Sequence, residues 1–382
     1  MRHHNSVFHQ MLRLIPWAEF ERLVEEHGAD YRVRRLTTKS QLIALLYGQL
    51  SGATSLREIE GGLLSHRGRL YHVGAQPAAR STLADANTKR PYAVFSAMLA
   101  SMMKRLHRGQ RRKLAETTYL IDATSARLNG SSASWARFSA GVCGAKVHVI
   151  YDPNADSPIY AAVTAAKVND ITAAQAMPIE PGATYVFDLA YYDYRWWAAL
   201  DEVGCRIVTR FKSHTKLTVV RELALPKDSE LLSDRVGYLP ERQAASRRNP
   251  FQDPVREVRI KSDTGQVLRI LSNDLDASAQ EITDLYKRRW AIELFFRWVK
   301  QTLKITKFLG TSENAVRIQI TAALIAFVLL RLAQATQAAI HSPLAFARLI
   351  RANLMHRRSI NRLLEPPPDR DLNPAQMALQ WS

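Results

Sequence analysis

The sequence predicts a mixed α/β protein with helices at its N-terminus, a central region of strands and helices, and a helical tail. Three observations carry that prediction. Apolar residues recur at helical spacing through the first 110 residues. From residue 117 the apolar segments shorten to strand length and then alternate with helical patterns. A polar, turn-rich stretch from 212 to about 267 interrupts the alternation before it resumes.

The N-terminal elements come first. LTTKSQLIALLYGQL reads as a helix that either Thr37 or Thr38 can cap, and TSLREIEGGLLSH follows with Ser55 and Glu58 at capping-box spacing. ARSTLADANTKRP predicts a short helix capped by Ser81 and stopped by Pro91, carrying exposed Arg80, Lys89 and Arg90. Two short helices of this kind suit a helix-turn-helix-like reader of a DNA groove, so residues 1–110 are expected to form a helical DNA-binding domain. KRLHRGQRRK (104–113) holds six cations in ten residues, as expected of a linker lying along a phosphate backbone.

TTYLID then reads as a strand ending in Asp122, GAKVHVIYD as a second and PIYAAVTA as a third. NDITAAQAM is a short helix, ATYVFD a strand ending in Asp188, DYRWWAALDEVG a helix and CRIVTRF a strand. Three strands in meander followed by helix and strand in alternation is the order of a ribonuclease-H-like core, expected over 111–345. The stretch 212–267 reads as an all-β insertion in that core, with a hairpin near SDTG. A strand at LRILS and a helix capped by Ser278 follow, and residues 346–382 form a helical, basic tail.

Composition narrows the partner. Lys plus Arg outnumber Asp plus Glu by 53 to 35, a formal charge of +18, which favours a polyanion and nucleic acid before an anionic membrane. The most apolar run, from Ile318, meets Arg331 after about a dozen residues, short of the ~20 that a membrane span needs, and reads as a core helix. The N-terminus lacks the pattern of a signal peptide, and two unpaired cysteines support neither disulfide framework nor zinc cluster, so a cytoplasmic protein is expected.

An Asp at a strand end is more often a turn former than a ligand. Two of them on one sheet, with a third acid, can hold two divalent cations for in-line phosphoryl displacement. Glu293 is the third candidate. It lies in YKRRWAIELFFRWVKQTLKI (286–305) among an excess of cations. Treated as one helix at about 100° per residue, Tyr286, Arg289, Glu293 and Lys300 share an arc of about 60°. Leu285, Ile292, Phe296, Val299 and Leu303 share an adjoining apolar arc. Ordinary i,i+4 pairing leaves those cations unmatched, whereas DNA phosphates would match them, with Arg297 and Lys304 as further contacts.

Tyr286-x2-Arg289-x3-Glu293-x6-Lys300 resembles the Y-R-E-K signature of bacterial DDE transposases of insertion-sequence family four. FLGTSENAV (308–316) and STLADANTKRP are similar to that family as well, so the likeness covers nearly the whole chain. The resemblance implies a triad of Asp122, Asp188 and Glu293 binding Mg²⁺ or Mn²⁺, two ions per site. It also implies binding to terminal inverted repeats, a homodimeric synaptic complex, and cut-and-paste transposition with a hairpin step. Relatives with that step stack a flipped base on a tryptophan of the β insertion; none lies between Trp197 and Trp290 here, leaving Tyr238 or Phe251 as substitutes. A non-catalytic repressor and a ribonuclease-H-like nuclease are the alternative readings.

Overall fold

The computed structural model describes residues 5–107, 117–225, 230–262, 265–303, 308–336 and 339–364. Lys304, residues 108–113 of the basic linker and the tail beyond 364 lie outside the described residues.

Seven helices come first: α1 (Val7–Leu12), α2 (Trp17–Glu26), α3 (Thr38–Ser51), α4 (Leu56–Ser65), α5 (Arg67–Leu70), α6 (Arg80–Lys89) and α7 (Tyr92–His107). The Thr37 hydroxyl caps α3 by accepting from the Ser40 N–H, and Ser55 caps α4 by accepting from Glu58. Glu58 reaches back one residue further than a capping box requires, accepting from the Thr54 N–H at 2.8 Å. The cap expected at Ser81 is not used. Ala79 occupies the N-cap of α6 without a side-chain bond, so Ser81 falls inside the helix. Arg90 leaves the helix in extended conformation, as the residue before Pro91 must.

β1 (Thr118–Leu128) opens the central region, followed by α8 (Ala133–Ala136), β2 (Arg137–Ser139), β3 (Val142–Asp152), β4 (Ser157–Ala165), α9 (Asp170–Ala174), β5 (Thr184–Phe187), α10 (Tyr194–Glu202) and β6 (Arg206–Arg210). β3 lies antiparallel between β1 and β4, while β1, β5 and β6 run parallel side by side. Thus the meander and then the alternation appear in the expected order.

The stretch expected as a separate all-β insertion departs from expectation. β7 (Thr218–Glu222), β8 (Leu231–Tyr238), β11 (Val255–Lys261) and β12 (Val267–Ser272) join the same ten-stranded sheet, ordered β2-β3-β1-β5-β6-β12-β11-β8-β7. Only β9 (Arg242–Ala244) and β10 (Arg247–Arg248) pair apart from it. β12 returns antiparallel against β6 and pairs an edge that would otherwise be open. Pairing of this kind is set between distant segments, which turn residues do not reveal. Buried ion pairs hold the extension: Arg256 meets Asp234 at 2.6 Å, and Glu257, wholly buried, takes both Arg259 and Arg269.

α11 (Ala279–Lys287), α12 (Trp290–Thr302), α13 (Glu313–Gln334) and α14 (Pro343–Asn353) complete the chain. α13 carries the apolar run, and 83% of its most apolar window is buried. α3, α6 and α7 from the N-terminal region pack on it, as do α12 and α14. The Val7 and Phe8 N–H groups donate to the carbonyls of His356 and Leu354, so helices from both ends of the chain enclose one apolar rod.

Candidate active site

Asp122 was expected at the end of a strand and instead sits within β1, paired in register with Val149 of β3. The strand runs on because alternation continues through Ala126 and Leu128, both buried. Asp188 follows β5 directly and uses Oδ1 to accept from the Ala190 N–H at 2.8 Å, which shapes the turn after the strand. Since Phe187 pairs with Thr209, Asp188 and Arg210 extend from neighbouring parallel strands at the same sheet edge.

The helix bearing Glu293 is not the single helix assumed from periodicity. α11 ends at Lys287 and α12 begins at Trp290. Between them, Arg289, Ala291 and Ile292 donate to carbonyls three residues back. Those bonds overwind the chain locally, so a uniform 100° wheel does not apply across the joint. No Gly or Pro marks the joint. Even so, the apolar arc behaves as expected, with Leu285, Ile292, Phe296, Val299 and Leu303 all buried.

Arg289 stands at the joint and organises the site. Its guanidinium contacts Glu293 Oε1 at 2.5 Å and Asp122 Oδ2 at 3.5 Å. It lies 5.7 Å from the ring of Tyr286, whose hydroxyl it also engages. The acids in turn hold the Arg289 pKa above its usual value against the effect of burial. Burial pushes the Asp122 carboxyl up to about 6; Asp188 and Glu293 add to the rise, while the Ala123 N–H and Arg289 oppose it. Tyr286 is buried, which raises its pKa, and Arg210 and Asp188 are among the charges acting on it. Four of the expected residues therefore converge with Asp188. Lys300 is half-buried farther along α12, and burial alone pulls its amine down. Arg297 is exposed and lies 5.5 Å over the ring of exposed Trp290.

Among the described residues, no three His, Cys, Asp or Glu side chains gather closely enough to form a metal cluster. The guanidinium of Arg289 between Asp122 and Glu293 accounts for that spacing. The donor set nevertheless suits a hard divalent cation: three carboxylates face one edge, and the charge of Asp122 is suppressed by its acidic neighbours.

The N-terminal residues divide. Arg80 and Lys89 are exposed, the latter 3.6 Å from Asp85. Arg90, expected to be exposed, is not: its guanidinium donates to the carbonyls of Ala29 and Leu36 and lies 3.6 Å from Asp30. Closing the loop before α3 consumes its donors. Phe251 is buried, whereas Tyr238 is 43% exposed at the end of β8. Lys146 donates to Asp170 at 3.0 Å and His148 bonds Thr164 at 2.8 Å, a structural cluster behind β1. Asp193 caps α10, and Trp196 and Trp197 are core. Sequence reasoning missed Arg210; its place after a strand adjoining that of Asp188 was the available signal.

A sheet edge collecting acids beside a basic helix joint defines a DNA-processing enzyme of the transposase class. Residues 113–329 match the family described as Transposase DDE domain, and the chain belongs to that family. Residues 3–76 match a domain of unknown function, DUF4372. A candidate transposase designated y4zB from Sinorhizobium fredii is 38% identical over 303 residues, covering 79% of this chain and 85% of that protein. A transposase assigned to insertion sequence element IS5377 of Geobacillus stearothermophilus is 28% identical over 342 residues, covering 87% and 85%. A cryo-EM structure of the piggyBac transposase synaptic complex with hairpin DNA superposes with a TM-score of 0.45 at 11% identity, covering 95% of this chain and 81% of that chain. That likeness is too loose to argue from. The protein is thus a bacterial DDE transposase, a class of enzyme that generally uses divalent metal ions.

Proposed function

We propose that this transposase binds terminal inverted repeats and cuts and rejoins DNA with Asp122, Asp188 and Glu293 as its triad. The observation that carries the reading is Arg289, whose guanidinium joins Glu293 of α12 to Asp122 of β1 beside Asp188. Mg²⁺ or Mn²⁺ ions, two per site, would be held by these carboxylates and would activate the attacking oxygen and stabilise the leaving one.

The chain's own groups do the rest. Arg289 neutralises the acids in the free protein, and on binding turns to the scissile phosphate. Tyr286 and Lys300 hold the flanking phosphates, with Arg297 and Lys304 beyond them. Water is the first nucleophile and frees a 3′-hydroxyl, which attacks the opposite strand and later the target, without a covalent enzyme intermediate. Tyr238 is the exposed aromatic available to a flipped base. Arg80 and Lys89 contact DNA from the helical N-terminal region, 1–110, and the catalytic core spans 111–345 as a ribonuclease-H-like unit with the tail at 346–382. Two copies act together in a synaptic complex, in the cytoplasm at the nucleoid.

The test is a labelled duplex of the element's own terminal repeat with Mg²⁺ or Mn²⁺. End cleavage and joining to a plasmid are expected, and Glu293→Gln should bind the end without cutting it. Cleavage by that variant overturns the assignment of the third acid. Cleavage without end preference or joining points to a nuclease instead.

A further inference from the structure

Tyr191 lies in the turn after Asp188, where its N–H donates to the Asp188 carbonyl at 3.2 Å. Its ring packs on Phe187 and Trp196, with centroids 6.0 and 6.1 Å away, and the side chain is fully buried. Yet its hydroxyl has no hydrogen-bond partner. The other fully buried tyrosines among the described residues do have one. Tyr119 bonds Glu180, Tyr151 bonds Asp156, Tyr185 accepts from the Glu180 N–H, and Tyr194 bonds Tyr192. A buried hydroxyl left unpaired costs free energy, so its retention in a well-packed site calls for a partner in another state.

The charges acting on this phenol are Asp122, Asp170 and Asp188, which with burial push its pKa up. Asp170 is already engaged by Lys146. Asp122 acts most strongly of the three, and its Oδ2 is occupied only at 3.5 Å, by Arg289.

We propose that Tyr191 is a positioning residue, whose hydroxyl donates to the Asp122 carboxylate once that group turns from Arg289 to a divalent cation. This rests on the reading of Asp122 as a metal ligand. In the metal-free protein the hydroxyl waits unpaired; with the cation it fixes the orientation of the ligating carboxylate, as outer partners of metal ligands do.

Tyr191→Phe removes only the hydroxyl. Two readouts are taken on the full-length chain: the Tm of the metal-free protein, and Mn²⁺ affinity from the loss of the free-ion EPR signal. The expected result is a Tm equal to or above wild type together with roughly tenfold weaker Mn²⁺ binding. Unchanged Mn²⁺ affinity, with binding lost in Asp122→Asn, overturns the inference and leaves the triad standing. Mn²⁺ binding equal in wild type and Asp122→Asn overturns the triad reading and the inference with it. A lowered metal-free Tm assigns the phenol a packing role and overturns the inference as well.

Discussion

Asp122→Asn should stabilise the metal-free protein, and only at neutral pH. The folded state raises the Asp122 carboxyl from its usual 3.8 to about 6. It therefore holds the proton more tightly than the unfolded chain does, and stability falls as pH rises between those values and stays lower above them. At about 1.4 kcal/mol per tenfold change in the protonation equilibrium, the cost of ionising Asp122 is about 3 kcal/mol. The side chain is 18% exposed, so solvent screens little of this. Asparagine removes the charge but adds an amide to satisfy, so a gain of about 1–3 kcal/mol is expected at pH 7.5. With an unfolding entropy of about 2.1 cal/mol/K per residue, that is a rise in Tm of about 1–4 °C. Scanning fluorimetry in EDTA at pH 4, 5, 6 and 7.5 measures it. The gain should vanish at pH 4, where the wild-type carboxyl is protonated. An equal difference at pH 4 and 7.5, or a lower Tm for the variant at pH 7.5, refutes the reasoning.

Burial drives His148 the other way in the same pH range, lowering it from its usual 6.5 to about 4. Here the unfolded chain binds the proton better, so stability is present above 6.5 and is lost as pH falls towards 4. His148→Gln should flatten that acid-side loss in a Tm-versus-pH series; a slope equal to wild type would refute the placement. Glu257→Gln leaves Arg259 and Arg269 against a neutral buried amide and should cost about 3–5 kcal/mol in urea unfolding. A loss below 1 kcal/mol would mean that the pair is not desolvated. Arg289→Lys cannot bridge Asp122, Glu293 and the Tyr286 hydroxyl at once. Single-turnover end cleavage should fall by about a hundredfold while end binding changes far less; an unchanged rate would remove Arg289 from the chemistry.

What could be read from the sequence is what acts over a few residues. Thr37, Ser55 and Ser278 each cap a helix by accepting from a backbone N–H three residues on, and all three were visible as local patterns. Asp188, a turn former directly after a short strand, was visible for the same reason. The extent of β1 past Asp122 was not, because its outer half is held by pairing with β3 rather than by its own composition. The same holds for the strands between 212 and 267, whose neighbours are chosen across the sheet. Arg90 reads as one more surface cation until the loop it closes is folded beside it. In the site, spacing identified Tyr286, Arg289 and Glu293, but not the overwound joint that lets Arg289 reach Asp122.

The enclosure of α13 by helices from both chain ends sets a clock on synthesis. α3, α6 and α7 are finished within the first 107 residues, but the helix that completes their core begins at residue 313. At about 5–20 residues per second, the ribosome needs roughly 10–40 s to bridge that gap. During this interval the buried faces of α3 and α7 have no partner, which is when a nascent chain is most exposed to chaperones and proteases. A product truncated before α13 would never close that core, so shortened copies of this element would supply no folded N-terminal competitor for the element's ends.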